Sequence, residues 1–236
     1  MHGADEPAQA GTRPVVLVHG FASSFRRQWV EPGWCELLAE MGRPVLGGDL
    51  LGHGSSAKPR DPAAYSALAD QVCGWLPSEP VDAVGFSLGA RLLLEVAVAR
   101  PESFARLVVG GVGENLLRPE DAHPVAHALA TGAEGPTGSV AQALVRFARD
   151  EGNDPLALAA CLRRPSQALS PEQLRQVEVP TLVVVGSQDF AGPGEPLVEL
   201  LPAGRLVTIE GADHLATARH FRFLDAALGF LEPGPP

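Results

Sequence analysis

Short runs of β-branched and other apolar residues alternate along the chain with longer stretches whose apolar positions recur at helical spacing. The apolar runs predict six buried strands: Val15–Val18, Pro44–Leu46, Val81–Val84, Leu107–Val109, Thr181–Val185 and Leu206–Ile209. The helical patterns between them are Trp34–Met41, Tyr65–Trp75, Leu88–Arg100 and Ala216–Leu231. Continuous apolar runs suit strands covered on both faces, and strand–helix alternation implies right-handed parallel crossovers. The pattern therefore predicts an α/β fold with a mostly parallel sheet of about six strands flanked by helices.

The alternation breaks once, between Gly113 and Val179, where no strand pattern is found. This region instead contains Ala- and Leu-rich helical stretches, at Pro124–Thr131, Ser139–Glu151, Pro155–Leu162 and Pro171–Val177. The strand pattern resumes directly afterwards. We therefore interpret residues 113–179 as a helical insertion into a core formed by residues 1–112 and 180–236.

Composition and charge narrow the class of protein. The 236 residues carry a formal net charge of -10, which argues against a nucleic-acid or anionic-membrane partner, since both require a basic surface. The three cysteines, Cys35, Cys73 and Cys161, are widely separated and lack metal-ligand spacing. Residues 1–13 lack a signal-peptide pattern, and no apolar run is long enough to span a bilayer. We expect a cytoplasmic protein that needs no metal or organic cofactor; the oligomeric state stays open.

A candidate nucleophile lies in the segment Gly85-Phe86-Ser87-Leu88-Gly89. The preceding strand ends at Val84 and a helix begins at Leu88, so the turn between them is very tight. Flanking glycines allow close backbone approach and push the Ser87 hydroxyl out at the end of the sheet. The Gly-x-Ser-x-Gly pattern alone is common by chance. Its strand–turn–helix setting favours a nucleophile over a serine that merely caps a helix.

A serine hydroxyl needs a general base, which an acid in turn orients. His214 follows the last predicted strand, at the same edge of a parallel sheet as Ser87. Asp189 follows the strand Thr181–Val185, which completes the order serine, acid, histidine of a hydrolase triad. Asp213 is a weaker alternative, because neighbouring side chains in a chain usually point apart. A solvent-facing loop position is the alternative for His214.

The segment His19-Gly20-Phe21 follows the first predicted strand. Gly20 lets the chain bend over the nucleophile, so that the N–H of Phe21 and the N–H of Leu88 can form an oxyanion hole. We interpret His19 as a buried histidine that braces this loop rather than as a catalyst.

From about Pro14 to Leu231 the sequence resembles the α/β-hydrolase superfamily. The resemblance rests on His19–Phe21, Asp49–Ser55, Gly85–Gly89, Asp189 and His214. It implies an α/β-hydrolase fold, a helical cap at residues 113–179 and a structural rather than catalytic role for His53. A serine at position 87 argues against the haloalkane dehalogenase and epoxide hydrolase branches, which are similar but use aspartate there.

The segment Ser87–Arg91 and Trp29 also resemble menaquinone-pathway enzymes of the MenH type. That resemblance implies pyruvate elimination by the same triad and arginines that bind a carboxylated substrate. Arg91 is then a ligand, with Arg163 or Arg164 of the cap as helpers. The alternative for Arg91 is a structural ion pair with Glu95 at i,i+4. Phe86 and Trp29 are further candidate substrate-binding residues.

These features together predict a serine hydrolase that cleaves carboxylic esters of small molecules through an acyl-enzyme. The Ala- and Leu-rich cap suits an apolar acyl or alcohol group. Two alternatives stay open: a MenH-like lyase or C–C bond hydrolase acting on a carboxylated substrate, and a ligand-binding protein that kept the fold without catalysis.

Overall fold

A computed structural model of the chain describes residues 13–118, 123–133, 139–165 and 168–232. The prediction that residues 1–13 lack a leader pattern falls almost wholly on residues 1–12, which lie outside the described part. Within the described ranges, no helix combines the length and the apolar character that crossing a bilayer requires.

Six parallel strands form one sheet in the order β2-β1-β3-β4-β5-β6. The strands are β1 Val15–Val18, β2 Val45–Gly47, β3 Val81–Phe86, β4 Phe104–Gly110, β5 Thr181–Gly186 and β6 Gly204–Ile209. Each strand overlaps the predicted one. The central strands β3, β4 and β5 run further than predicted, because Gly85, Arg106 and Gly186 interrupt or end the apolar runs while the backbone stays in the sheet.

Helices flank this sheet on both faces. They are α1 Trp34–Glu40, α2 Leu68–Cys73, α3 Leu88–Ala99, α4 His123–Thr131, α5 Val140–Asp150, α6 Pro155–Leu162, α7 Pro171–Leu174, α8 Glu195–Val198, α9 His214–Arg219 and α10 Phe221–Leu231. Two predicted helices are divided. The predicted helix Tyr65–Trp75 is replaced by a 3-10 turn, Pro62–Tyr65, followed by α2. The last breaks at His220, whose extended backbone and ring nitrogen cap the N-terminus of α10.

The buried side chains alternate between the two faces of the sheet, as a period of two requires. Val16 and Val18 of β1 pack on the face that α2 and α3 cover. Val15 and Leu17 pack on the opposite face, against Trp29, Trp34 and Phe223. This arrangement explains why the strands read as continuous apolar runs.

Between β4 and β5 the described chain is helical, from α4 to α7. Side-chain caps fix the helix starts: Ser139 accepts from the N–H of Gln142, and Asp154 accepts from the N–H groups of Leu156 and Ala157. The helices bury a small cluster of their own, which Ala22 joins from the core: Ala128, Leu129, Val145, Ala148, Leu158 and Ala159.

A buried ion-pair cluster lies at the N-terminal edge of the sheet. Asp82 of β3 is 1% exposed and accepts from Arg43 at 2.5 Å. The Arg43 guanidinium also donates to the carbonyls of Arg13 and Leu231, at 2.9 and 3.0 Å. Arg106 lies 3.9 Å from the same carboxylate. The cluster thereby ties the chain before β1 and the end of α10 to the centre of the sheet.

Candidate active site

Ser87 stands on a strained turn between β3 and α3, with φ 51° and ψ -111°. The flanking glycines are required for space. A Cβ on Gly85 would lie 2.7 Å from the nitrogen of Ala90, and one on Gly89 would lie 2.1 Å from the oxygen of Val18. A strained non-glycine backbone held this tightly is typical of a functional turn.

His214 bridges Ser87 and Asp189. Its Nε2 lies 3.0 Å from the Ser87 Oγ, and its Nδ1 lies 2.8 Å from Oδ1 of Asp189. The side chain of Asp189 is fully buried and that of His214 is 7% exposed. Oδ1 of Asp189 also accepts from the N–H of Ala191 at 2.9 Å, which fixes the carboxylate beside the ring. The structure therefore brings together the three predicted residues.

Asp213, the alternative acid, has another role. Its carboxylate accepts from the N–H of Ala216 at 2.8 Å and so caps the N-terminus of α9. Its carbonyl accepts from the backbone and the hydroxyl of Thr217. Asp213 thus fixes the start of the helix that carries His214, while Asp189 bonds the imidazole.

Two aromatic rings pack on the His214 imidazole. Phe190 lies with its centroid 4.1 Å away at an interplanar angle of 34°, and Phe86 lies at 5.0 Å and 50°. Phe190 is itself 44% exposed, and its ring covers one face of the His214 imidazole at the cavity surface. Phe190 was not predicted from the sequence; its position directly after Asp189 was the available signal.

Phe21 and Leu88 both line the cavity that Ser87 lines. Within the described ranges, neither amide is found donating a hydrogen bond to another residue. Gln28 holds the loop Gly20–Ala22, because its Oε1 accepts from the N–H of Gly20 at 2.8 Å. Two unoccupied backbone donors beside a serine hydroxyl are the arrangement that an oxyanion hole needs.

His19 and His53 are buried behind this loop and are absent from the cavity lining. Leu50 donates its N–H to Nε2 of His19 at 2.9 Å, while Nδ1 of His19 lies 2.8 Å from the carbonyl of Gly20. Burial lowers the pKa of His19, so a neutral ring with its proton on Nδ1 suits both contacts. Burial, followed by repulsion from His19, lowers the pKa of His53 to about 3.

A cavity of about 520 Å³ opens at the Ser87 hydroxyl. Most of its wall is apolar, with contributions from both the core and the helical segment, including Phe21, Phe86, Leu116, Val125, Leu144 and Phe147. Within the part of the chain that the structure describes, no group of three or more His, Cys, Asp or Glu side chains is arranged to hold a metal ion.

Arginines also line this cavity, and most have acidic partners. Arg91 pairs with Glu95 at 3.1 Å, as the structural alternative predicts, and Arg118 pairs with Glu114. Arg164 differs: it is 8% exposed, its Nη1 donates to the carbonyl of Cys161, and its buried Nη2 has no hydrogen-bond partner among the described residues.

The structure does not bring every predicted residue to the cavity. Trp29 is fully buried and packs edge-on against Trp34, with ring centroids 5.0 Å apart. An unpredicted π-helical turn, Arg26–Val30, directs its side chain into the core. Trp29 is therefore removed from the candidate substrate-binding residues.

Arg163 also lies outside the lining and donates to the carbonyl of Ala126. Phe86 and Arg91 remain at the cavity wall.

Comparison with known proteins agrees with the α/β-hydrolase fold. The model described as the alpha/beta hydrolase family matches residues 15–226. The chain belongs to the alpha/beta hydrolase family.

Individual relatives have moderate similarity. A pimeloyl-acyl-carrier-protein methyl ester esterase of Neisseria meningitidis is 29% identical over 88% of this chain and 89% of the relative. A Bacillus subtilis protein, provisionally named 2-succinyl-6-hydroxy-2,4-cyclohexadiene-1-carboxylate synthase, is 26% identical over 89% of this chain and 86% of the relative. The crystal structure of an enol-lactonase from Burkholderia xenovorans LB400 superposes with a TM-score of 0.76, at 21% identity over 96% of this chain and 94% of that one. This last likeness concerns the fold.

Proposed function

We propose that the protein is a serine hydrolase that cleaves carboxylic esters through an acyl-enzyme on Ser87. The observation that carries the proposal is the continuous hydrogen-bonded series from the Ser87 hydroxyl through His214 to Asp189, placed at the bottom of a largely apolar cavity. The membership in the hydrolase family and the relative named as a methyl ester esterase support the same class of reaction.

In the proposed reaction, the Ser87 Oγ attacks the ester carbonyl while Nε2 of His214 takes its proton. His214 then returns the proton to the leaving alcohol. Asp189 accepts a hydrogen bond from the Nδ1–H and stabilises the imidazolium. The amides of Phe21 and Leu88 donate to the oxyanion. Water, activated by the same histidine, hydrolyses the acyl-Ser87 ester.

We also propose that residues 113–179 form a cap over this core, as the sequence pattern predicts. The separate hydrophobic cluster of α4 to α6 supports the division, since the cap then has packing of its own. Leu144 and Phe147 of α5 line the same cavity as Ser87, so the cap contributes to the shape of the acyl or alcohol site. The apolar wall of the cavity favours a small ester with an apolar group.

A panel of p-nitrophenyl esters of graded chain length, run with Ser87→Ala, tests this function. Turnover is expected for the wild type, and the variant is expected to lose activity by a factor on the order of 10⁵ while its unfolding transition stays in place. A wild type without turnover on any ester, or a variant that keeps most of its activity, would contradict the proposal. The first of these results would favour a non-catalytic ligand-binding protein.

Arg164 supports a second candidate function, in which the same triad acts on a carboxylated substrate as a lyase or C–C bond hydrolase. Arg164 lines the cavity and has no acidic partner among the described residues, so a substrate carboxylate can supply that partner. Arg164→Gln separates the two functions. If the substrate is carboxylated, its KM rises at least about tenfold, the value of one charge-assisted hydrogen bond. If the substrate is a neutral ester, KM stays within about twofold.

A further inference from the structure

The turn of residues 151–154, between α5 and α6, contacts the core both before β2 and after β6. The turn is locally fixed, because Gly152 has a positive φ of 68° and Asp154 caps α6. Three of its side chains face the core: Glu151, Asn153 and Asp154. We refer to residues 151–154 as the 151–154 turn.

Glu151 lies between two arginines from separate core elements. Its side chain is 5% exposed, with one carboxylate oxygen 2.9 Å from Nε of Arg27 and the other 3.6 Å from Nη2 of Arg219. Arg27 and Arg219 are 46% and 65% exposed. A carboxylate this buried requires its cationic partners, so the three side chains form a unit.

Each arginine leads to one half of the proposed catalytic machinery. Arg27 lies in the Arg26–Val30 turn, and Gln28 of that turn holds the N–H of Gly20 at 2.8 Å. Arg219 ends α9, the helix that begins with His214. The shared carboxylate therefore joins the element that fixes the Gly20–Ala22 loop to the element that carries the imidazole.

Asn153 adds a direct contact from the same turn. Its Nδ2 donates at 2.5 Å to the carbonyl of Ala22, the residue after Phe21. Ala22 has a positive φ of 61°, which a side chain tolerates only when its surroundings hold the backbone in place. The 151–154 turn and Gln28 thus each hold one end of the loop, at the carbonyl of Ala22 and at the N–H of Gly20.

We propose that Glu151 is a positioning residue, whose carboxylate, shared by Arg27 and Arg219, sets the placement of the Gly20–Ala22 loop relative to His214. This inference rests on the proposed function. Hydrolysis requires the oxyanion donors and the base to address one carbonyl group, and a displacement of about 1 Å costs up to about a hundredfold in rate. Substrate binding depends mainly on the apolar cavity wall, so loss of the Glu151 carboxylate should lower kcat rather than raise KM.

The test compares Glu151→Gln with Arg60→Ala. Arg60 pairs with Asp154 of the same turn at 3.0 Å, but it is absent from the cavity lining and serves as the matched control. For p-nitrophenyl acetate we expect kcat of Glu151→Gln to fall about tenfold, with KM within about twofold. The rate of Ser87 phosphonylation falls by the same factor. Arg60→Ala leaves both rates within about twofold.

Arg219→Gln, at a more exposed position, gives a smaller fall in kcat and keeps the test open should Glu151→Gln not fold. An unchanged kcat in a folded Glu151→Gln variant, a rise in KM alone, or an equal loss in Arg60→Ala overturns the inference.

Amide hydrogen exchange separates this inference from the proposed function. Faster exchange in Glu151→Gln at residues 20–22 and 214–219, relative to Arg60→Ala, supports the positioning role, and unchanged exchange overturns it. A wild type that neither turns over esters nor reacts at Ser87 refutes the proposed function instead. The exchange result then still shows whether Glu151 positions residues 20–22 and 214–219.

Discussion

The two edges of the sheet each bury a carboxylate, and the partners of these carboxylates differ. At the N-terminal edge Asp82 faces arginines, of which Arg43 is 6% exposed and bonded to backbone carbonyls as well. At the C-terminal edge Asp189 faces His214, which in turn contacts Ser87 beside a cavity. Guanidinium groups stay charged at all ordinary pH values, whereas an imidazole exchanges protons near neutrality.

The difference explains why one carboxylate is structural and the other is a candidate for chemistry. Asp82 lies where chain segments far apart in sequence meet, and its partners close around it. Asp189 lies at the edge where parallel strands end and loops begin, which is where α/β sheets place their sites. The same residue type therefore has two roles, set by the partner it faces and by the access of solvent.

The largest expected effect is that of Asp189→Asn on activity. The amide no longer holds the required imidazole tautomer, so kcat should fall by about 10³–10⁴-fold with little change in the free energy of unfolding. Ester turnover and urea unfolding, measured on the same preparation, test this. Asp213→Asn is the matched control, because asparagine also caps helices well, and its kcat should stay within a few-fold. Equal losses in both variants would contradict the distinction.

At the opposite edge, Asp82→Asn should affect stability instead. Removing one partner of a buried ion pair leaves Arg43 uncompensated, which costs about 3–5 kcal/mol in the free energy of unfolding. The kcat of the folded protein should stay within about twofold, since Asp82 lies at the far edge of the sheet. Urea unfolding monitored by tryptophan fluorescence measures the loss. A normal unfolding midpoint with lost activity would reverse the proposed roles of the two edges.

His53 gives a smaller, pH-dependent effect at the C-terminal edge. Its folded-state pKa of about 3 lies below the usual 6.5, so as the pH falls the unfolded chain takes up the proton first. Stability is unaffected above pH 6.5 and decreases from there toward pH 3, by about 3 kcal/mol at pH 4. His53→Gln should flatten the decrease in unfolding free energy between pH 6.5 and 4. An unchanged slope in this variant would show that other groups cause the acid sensitivity.

The sequence predicted well those features that one segment of chain determines. Buried strands produce continuous apolar runs, and the turn at Ser87 needs glycines at fixed positions, so both are visible in a single sequence. The order of Ser87, Asp189 and His214 along the chain, each after a strand, was enough to expect them at one edge.

Features that depend on packing between distant segments were not predictable in the same way. Trp29 follows the loop of Phe21 closely in sequence, but the π-helical turn directs it toward Trp34 in the core. His220 interrupts an apolar pattern that continues on both sides, because its ring caps the next helix. The Arg43–Asp82 pair joins residues 39 positions apart, and nothing in either local sequence marks the other.

The central claim is that Ser87 is a nucleophile activated by His214. The most direct measurement is reaction with a fluorophosphonate probe, followed by intact-protein mass and peptide mapping of the wild type, Ser87→Ala and His214→Gln. From this activation we expect one adduct per wild-type chain, located on Ser87, no adduct in Ser87→Ala and a greatly slowed reaction in His214→Gln. A wild type that stays unmodified, or an adduct that persists in Ser87→Ala, would contradict it.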